Sequence, residues 1–533
     1  MNKRQLLKAA VHTAILVIAS NSVPLAHAAA PAASTAKSGG TLNWLVTPEP
    51  ASIAPLLTTA GPNADIGPKI VEGLLTYDFD LNPKPQLATA WTVSPDGLQY
   101  RFTLREGVKW HDGRDFTSAD VAFSIQTLKQ LHPRGRSTFA NVTDVQTPDR
   151  YTAIIVLSKP APALLIALAG SESPIVPKHL LEGKEIATSS YHSAPVGTGP
   201  FVFKEFVRGS HITLERNPHY WDKPKPYLDK IVVRFIPDAV ARAAALETGA
   251  ADLGGNAIPL SDAKRFTELP NVRVDTTNWP YASNHQQLIF NLDTPVLKDR
   301  AVRLAISQAI DVNALNKVVW FGYGQVSAAA IGQGNKRFHN ADIKYFPIDI
   351  KQANASLDAA GLKRGTDGTR FKVRLLINPF QDRRAAEFVR QGLSRIGIDG
   401  VIENYDFATY VNKVYTERAF DITLDALANV FDPTAGVQRV FWSKNFKVGL
   451  PFSNAAHYSN PEVDRLLEAA AIEVDPDKRR ELFLTFQKVV HDDIPSIEFG
   501  ANPTLTVVNN KVRDYATSGE GIRGGFADLY FQQ

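Results

Sequence analysis

The sequence contains no cysteine. This absence excludes disulfides, thiolate zinc sites and thiol nucleophiles, and it also excludes a lipid-modified cysteine behind a signal peptide. The motifs Gly-x-Ser-x-Gly and His-Glu-x-x-His are missing too, so neither a serine hydrolase nor a zinc protease is indicated. We therefore expect no cofactor, no metal site and no catalytic residue.

A large excess of charge of either sign is also missing. The chain has 58 Lys and Arg against 54 Asp and Glu, which gives a formal net charge of +4. Removal of residues 1–28, which contain Lys3, Arg4 and Lys8 but no acidic residue, lowers this charge to +1. A chain with so small a net charge does not attract nucleic acid or an anionic membrane electrostatically. We therefore expect neither as a partner.

Long hydrophobic runs are missing as well. The stretch Ala9–Ser20 is mostly apolar, but a membrane-spanning helix needs about 20 apolar residues. This stretch, the basic residues before it and the small residues of Ala26-His27-Ala28 predict a signal peptide over residues 1–28. Residues 29–39, rich in Ala, Pro, Ser and Thr, predict a flexible leader. We expect a secreted, periplasmic protein without a lipid anchor.

Hydrophobic periodicity predicts an α/β fold of two or three compact units. Gly40–Val46 is typical of an apolar strand, and Ile231–Ile236 of a strand buried on both faces, as in parallel sheets. The stretch Phe371–Ile402 predicts a strand, a helix and a second, parallel strand. Asn460 and Asp475 each precede a proline and predict the N-caps of two amphipathic helices.

Three polar stretches have more than one interpretation. Residues 110–113, Trp-His-Asp-Gly, favour a turn over a metal ligand or general base, because no second His lies at ligand spacing. Residues 491–493, His-Asp-Asp, favour a solvated helix end over a metal site. Residues 197–200, Gly-Thr-Gly-Pro, favour entry into a strand, since a phosphate loop needs a following Lys-Ser/Thr.

Several separated stretches, taken in their order and spacing, carry a resemblance that covers most of the chain. They are Gly39–Leu42, Glu72–Asp78, Pro85–Ala88 with Trp91, Asp96–Arg105, Trp110–Gly113, Ala119–Val121, Gly197–Phe201, Arg216–Trp221, and Asp299–Ile306 with Ala309–Asp311. Together they resemble the family 5 bacterial extracellular solute-binding proteins, the peptide- and nickel-binding class of ABC transporters. The stretch from Asp96 to Gly113 is the most specific.

The resemblance implies the two-lobed α/β fold of periplasmic binding proteins, of type II and of the large class with an extra subdomain. Mapped onto this sequence, the first lobe covers 40–278 and 500–533, with the extra subdomain at about 80–195. The second lobe covers 285–493, and a hinge is expected at 279–284 and 494–499.

The resemblance also implies a function. A protein of this class is a monomeric substrate-binding component that captures a dipeptide, an oligopeptide or a peptide-like solute between its lobes and delivers it to a membrane permease. The same fold with a non-peptide solute, such as an opine-like conjugate, a sugar oligomer or chelated nickel, is the alternative. A periplasmic hydrolase and a chaperone are more remote alternatives.

The resemblance finally implies site residues. In peptide-binding relatives a strand offers its backbone to the ligand, and an Asp three residues before an acidic-Pro pair holds the peptide amino terminus. Here that strand contains Leu427, and Asn429, which carries no charge, takes the place of the Asp. Asp432 and Glu49 are candidates for the missing negative charge. The aromatic residues that we expect to face the cleft are Trp279, Tyr281, Tyr405 and Trp442.

Overall fold

The computed structural model of the protein describes residues 36–532. The predicted signal peptide and residues 29–35 of the predicted leader lie outside the described residues. The strands are β1 (Thr41–Leu45), β2 (Leu75–Tyr77), β3 (Pro83–Pro85), β4 (Ala88–Val93), β5 (Gln99–Leu104), β6 (Val142–Asp149), β7 (Thr152–Leu157), β8 (Phe201–Val207), β9 (His211–Arg216), β10 (Lys230–Arg234), β11 (Leu253–Gly255), β12 (Val272–Asp275), β13 (Ala282–Phe290), β14 (Phe371–Ile377), β15 (Ile398–Asn404), β16 (Ile422–Val430), β17 (Ser496–Ala501), β18 (Thr506–Asn509), β19 (Val512–Arg513) and β20 (Tyr530–Phe531). The helices are α1 (Gly61–Ile66), α2 (Ser118–Leu131), α3 (Gly135–Thr138), α4 (Lys178–Leu181), α5 (Ala239–Glu247), α6 (Ala263–Thr267), α7 (Pro295–Lys298), α8 (Arg300–Ser307), α9 (Val312–Val318), α10 (Ile350–Ala359), α11 (Arg383–Arg395), α12 (Phe407–Val411), α13 (Gln438–Phe441), α14 (Pro461–Ile472) and α15 (Pro476–Asp493).

A seven-stranded mixed sheet has the order β12-β18-β11-β1-β10-β9-β8. Its strand β10 pairs in parallel with β1 and antiparallel with β9. The prediction that this strand is buried on both faces was wrong. Only Ile231 and Val233 are fully buried, and their neighbours along the strand are half-buried, because only one face of the strand is fully covered by the core.

A four-stranded antiparallel sheet, β4-β5-β7-β6, packs against α2. On β5 the residues alternate between exposed and buried, with Tyr100, Phe102 and Leu104 on the buried face. Helix α2 begins behind Thr117, whose amide N donates a hydrogen bond to Asp120 Oδ2 at 2.9 Å. This contact satisfies one of the free amides of the first turn.

A five-stranded sheet has the order β15-β14-β16-β13-β17. The strands β14 and β15 pair in parallel around α11, which confirms the predicted strand-helix-strand unit. The N-caps of α14 and α15 are also confirmed, because Asn460 Oδ1 accepts from Glu462 N and Asp475 Oδ1 accepts from Asp477 N, both at 2.9 Å.

The chain passes twice between the seven-stranded and the five-stranded sheet. The first passage follows β12 and uses residues 276–281, and the second follows β17 and uses residues 502–505. The second passage therefore lies after the predicted segment 494–499, because Ser496–Ala501 pairs with β13 inside the five-stranded sheet. None of the helices between residues 36 and 532 combines the length and the hydrophobicity that crossing a bilayer requires.

Candidate ligand-binding site

A cavity of about 460 Å³ lies where the two passages run side by side. Its wall combines residues 278–279 and 282–284 from the first passage and β13, residues 502–504 from the second, and residues 255–256, Glu520, Ile522 and Arg523 from the part of the chain around the seven-stranded sheet, which we call the seven-stranded half. Two grooves of about 660 and 650 Å³ are larger, but each is lined only by residues between 313 and 400. Both halves contribute to the cavity between the sheets, and both also contribute to a smaller cavity of about 90 Å³, whose lining includes Asp80, Ile166, Lys336, Asp432 and Arg479.

Hydrogen bonds tie the second passage to β13 on one side and to the loop after β11 on the other. The amide N of Asn502 donates to Asn284 O at 2.9 Å. Further along, Asn256 N donates to Leu505 O at 2.6 Å, and Leu505 N donates to the Asn256 side-chain Oδ1 at 3.0 Å. The wall is therefore built from paired backbone, which fixes the position of the side chains between these bonds.

Two hydrogen-bonding side-chain oxygens in this wall have no partner within the described part of the chain. The Oδ1 atom of Asn502 and the Oγ1 atom of Thr504 are both buried and without a hydrogen bond, although Asn502 Nδ2 donates to Gln381 Oε1 at 3.0 Å. A buried polar atom without a partner costs about 1–3 kcal/mol. A ligand with hydrogen-bond donors would remove this cost.

The seven-stranded half supplies a group of charges. Arg523 Nε lies 3.2 Å from Asp65 Oδ1. Glu520 accepts a hydrogen bond from Thr76 Oγ1 at 2.6 Å, and burial raises the pKa of its carboxyl to about 7. The fully buried Lys69 Nζ donates to Asp65 O and Ile522 O, both at 2.6 Å, and burial lowers its pKa to about 7.

A second charged group involves Arg134, which also lines the cavity. Its Nε donates to Glu172 Oε2 at 2.7 Å, and Glu172 is almost fully buried. Arg439 interacts electrostatically with both, and burial lowers the pKa of Arg439. The Nε atom of Arg439 is buried and makes no hydrogen bond to any described residue. The two guanidinium groups lie around the carboxylate of Glu172, and Arg439 also interacts electrostatically with Asp425.

The predicted aromatic residues occupy different places. Trp279 lines the cavity. Tyr281 does not, because its ring is stacked between Tyr77 and Phe431 at centroid distances of 5.1 and 4.9 Å, and its hydroxyl donates to Ile166 O at 3.1 Å. We predicted that Tyr281 faces the cleft, but in the structure its ring is buried between two other aromatic rings.

Tyr405 and Trp442 lie on the five-stranded half, outside the lining of the cavity. The Tyr405 hydroxyl donates to Glu403 Oε2 at 2.9 Å, and Trp442 Nε1 donates to Glu468 Oε1 at 2.9 Å. Leu427 is buried in the apolar core of the same half. These three residues pack and bond within the protein, in contrast to the predicted contact with a ligand.

The predicted acidic candidates are also bound within the protein. Asp432 forms a two-fold hydrogen-bonded ion pair with Arg479, at 2.8 and 2.7 Å. Glu49 accepts from Gly209 N at 2.9 Å and lies 3.5 Å from Arg208 Nη1. The backbone of Asn429 pairs in register with Ser283, which lines the cavity.

The three polar stretches with more than one interpretation, residues 110–113, 197–200 and 491–493, make contacts within the protein. His111 Nδ1 accepts from Gly197 N at 3.3 Å and His111 Nε2 lies 3.0 Å from Gly199 O, so the turn at 110–113 is tied to the stretch 197–200. Burial lowers the pKa of His111 to about 4, which keeps the ring neutral. His491 stacks on Phe346 at 4.5 Å, so the predicted solvated helix end is partly covered.

Sequence reasoning missed Asp65, Arg134, Asn502, Thr504 and Glu520. Each lies in a loop or a short helix without a motif of its own, and they approach one another only through the fold. A carboxylate in a Ser-Gly-Glu-Gly turn near the end of the chain was the one available signal. In residues 36–532 no three His, Asp or Glu side chains converge as a metal site.

Comparisons with known proteins show the family of the chain and its fold. The family model described as bacterial extracellular solute-binding proteins, family 5 Middle, matches residues 82–447, more than half of the chain. The dipeptide-binding protein of Escherichia coli (strain K12) is 26% identical over 460 residues, which cover 81% of this chain and 83% of that protein.

Two solved structures are similar over almost their whole length. The ABC transporter-associated periplasmic binding protein DppA from Helicobacter pylori, in complex with peptide STSA, matches with a TM-score of 0.78 and 28% identity, over 93% of this chain and 99% of that chain. NikZ from Campylobacter jejuni, in complex with Ni(L-His), matches with a TM-score of 0.76 and 26% identity, over 91% of this chain and 97% of that chain. The predicted two-lobed fold of periplasmic binding proteins is confirmed. The chain belongs to the bacterial extracellular solute-binding proteins of family 5.

Proposed function

We propose that the protein is the periplasmic substrate-binding component of an ABC importer and captures a dipeptide, an oligopeptide or a peptide-like solute. The observation that carries the proposal is the cavity of about 460 Å³ between the two large sheets. Pockets for small molecules have volumes of about 300–1,000 Å³. The relatives named for a dipeptide and for the peptide STSA support the same class of ligand.

The chemistry of the wall suits a peptide. Asn284, Asn502 and Thr504 offer amide and hydroxyl groups that can pair with peptide N–H and C=O groups, while Trp279 and Phe380 offer aromatic surface. Phe380 is 74% exposed, so a ligand side chain that covers it would gain apolar burial. The charges on both sides of the cavity suit a ligand with two charged ends.

Binding without chemistry is the mechanism that we infer. Residues 276–281 and 502–505 would act as the hinge, since they are the two passages between the sheets. A ligand that touches both walls has a higher affinity for the closed form and shifts the population toward it. The closed monomer would then dock on the permease, and the predicted signal peptide would direct the protein to the periplasm.

A titration with peptides tests this proposal. Protein freed of ligand by unfolding and refolding is titrated with equimolar libraries of di- to pentapeptides by calorimetry and tryptophan fluorescence. We expect saturable binding, and a fluorescence change that is lost in Trp279→Phe but retained in the matched control Trp91→Phe, which lies outside the lining of the cavity. A protein that binds no peptide library would overturn the peptide assignment.

A second candidate is a non-peptide solute, and one observation favours it. Asn429 stands where the resemblance implies an Asp that holds the peptide amino terminus. The NikZ structure contains Ni(L-His), so the fold is compatible with such a ligand. Titration with nickel and histidine together, and separately with an opine, distinguishes this candidate from the first, because only a non-peptide binder would prefer these solutes over every peptide library.

A further inference from the structure

Glu520 lines the cavity, and its carboxyl forms no ion pair with any described residue. The residue is 5% exposed, and its Oε1 accepts a hydrogen bond from Thr76 Oγ1 at 2.6 Å. The two neighbouring cations are engaged elsewhere. Lys69 donates to two backbone carbonyls, and Arg523 pairs with Asp65. Among residues 36–532 the carboxyl accepts hydrogen bonds from Thr76 Oγ1 and from the Tyr77 backbone but pairs with no cation, so a cation brought by a ligand would be its first ion-pair partner.

The surroundings of this carboxyl make a charged partner valuable. Lys69, Arg523, Tyr77 and Tyr281 interact electrostatically with Glu520, and the carboxyl is buried. Desolvation disfavours its ionised form, and the pKa of Glu520 is raised to about 7. A ligand cation at hydrogen-bond distance would restore the ionised form and would gain from the low local dielectric.

Unpaired oxygens in the same wall point to the same kind of ligand group. Asn502 Oδ1 and Thr504 Oγ1 are buried, line the cavity and have no hydrogen-bond partner among residues 36–532. An ammonium group has three donors and no acceptor. The other charges of the wall are already paired, Arg523 with Asp65 and Arg134 with Glu172. The acceptors left over, one carboxylate and two unpaired oxygens, match that donor set better than they match an anion.

Trp279 also lines the cavity and adds an aromatic surface beside the turn that carries Glu520. Its ring lies against Gly521, the residue next to Glu520, so closely that a Cβ atom at position 521 would lie 2.2 Å from the ring. Gly521 has φ of +59°, a conformation that favours glycine. This glycine lets the backbone of the carboxyl-bearing turn touch the indole, and a nearby ammonium would gain a cation–π contact.

We propose that Glu520, with Asn502, Thr504 and Trp279, forms the binding site for a primary ammonium group of the transported solute. The inference rests on the proposed function, because it assigns one end of the peptide-like ligand within the same cavity. It also explains how a chain with Asn429 in place of an acidic residue retains affinity for a free amine. The anchoring carboxylate comes from the last turn before β20 instead of from β16.

The test compares two peptide libraries that differ only in the amine. Refolded wild-type protein is titrated with an equimolar tripeptide library and with the same library after N-acetylation. We expect at least about ten-fold weaker binding of the acetylated library, because acetylation removes the charge that would pair with the carboxylate. Glu520→Gln should bind both libraries with the low affinity that wild type shows for the acetylated one.

A matched control separates this effect from general damage. Glu72 is another buried carboxyl with a pKa raised to about 7, but it lies outside the lining of the cavity. Glu72→Gln should keep the ten-fold preference for the free amine. If Glu520→Gln does not fold, the wild-type pH profile replaces it. Affinity for the free-amine library should fall as the pH drops below about 7, where Glu520 takes up a proton. Affinity for the acetylated library should stay constant over the same pH range.

The outcomes are distinguishable from those of the proposed function. Wild type that binds both libraries equally, or Glu520→Gln that retains the full preference, overturns this inference and leaves peptide binding intact. Wild type that binds neither library overturns the peptide assignment, and the ammonium site with it.

Discussion

Replacement of Asp432 by Asn removes one charge from a buried ion pair in the loop behind β16. Arg479 donates to both carboxylate oxygens of Asp432, at 2.8 and 2.7 Å, and the two side chains are 6% and 3% exposed. Arg479 also donates to Ala470 O and to Thr434 Oγ1, both at 2.8 Å. The variant leaves this guanidinium buried and uncompensated.

The expected loss of stability is large. Removal of one partner of a buried ion pair costs about 3–5 kcal/mol, because the other charge stays without a counter-ion. Domains have unfolding free energies of about 5–15 kcal/mol in total. We therefore expect Asp432→Asn to lower the urea midpoint markedly, measured by circular dichroism. The matched control Asp80→Asn removes an exposed pair with Lys336, whose side chains are 63% and 72% exposed, and should cost less than about 1 kcal/mol.

The pH dependence gives a second measure of the same pair. Burial alone would raise the pKa of Asp432, but the charge and hydrogen bonds of Arg479 hold it below its usual range. Such a group stabilises the folded protein above about pH 4, and this contribution is lost as the pH falls through the lowered pKa. The difference in stability between wild type and Asp432→Asn should therefore shrink in acid.

The same variant tests whether Asp432 contacts the ligand. Its carboxylate is occupied by Arg479, and Asp432 lines the smaller cavity of about 90 Å³ but not the cavity of about 460 Å³. Peptide affinity of the folded variant should stay within about two-fold of wild type. A stability loss below about 1 kcal/mol, or a ten-fold loss of affinity with intact stability, would refute the structural role assigned here.

Two further predictions concern other buried groups. Gly521→Ala places a Cβ atom 2.2 Å from the Trp279 ring at a φ of +59°, so we expect a loss of about 1–3 kcal/mol in stability and weaker peptide binding, measured by thermal unfolding and calorimetry; unchanged affinity would contradict the role of this contact. Burial raises the pKa of Glu72 to about 7, so the folded state holds a proton that the unfolded chain releases above about pH 4.3. The stability of wild type, measured by thermal unfolding, should fall between about pH 4.3 and 7, and that of Glu72→Gln should fall less steeply. Equal slopes for the two proteins would contradict the raised pKa of Glu72.

Local signals in the sequence were sufficient for several elements of the fold. Asn460 and Asp475 cap their helices as predicted, since an Asx residue before a proline acts on the adjacent amides alone. The unit from β14 to β15 follows from hydrophobic spacing within about 30 residues. The position of the second passage does not follow from local spacing, because the pairing of β17 with β13 joins residues about two hundred positions apart.

The site was harder to predict because it depends on which segments meet. Tyr281 is an aromatic residue beside the cavity, and only the packing of Tyr77 and Phe431 on its two faces turns it into a core residue. Glu520 lies more than 400 residues from Asp65 along the chain. No pattern within either segment indicates that both line one cavity. The fold, in contrast, could be predicted from many separate family motifs, each of which is a weak local match.

The most direct test of the account is to weigh the ligand that the protein carries. Full-length protein is produced with export, purified from the periplasm without denaturation, and analysed by native and then denaturing mass spectrometry. We predict a bound mass or a series of masses spaced by amino acid residues, which is released on unfolding. If the bound peptides have free amines, Glu520→Gln should carry them at lower occupancy than wild type. One defined non-peptide mass, retained equally by wild type and the variant, would contradict it.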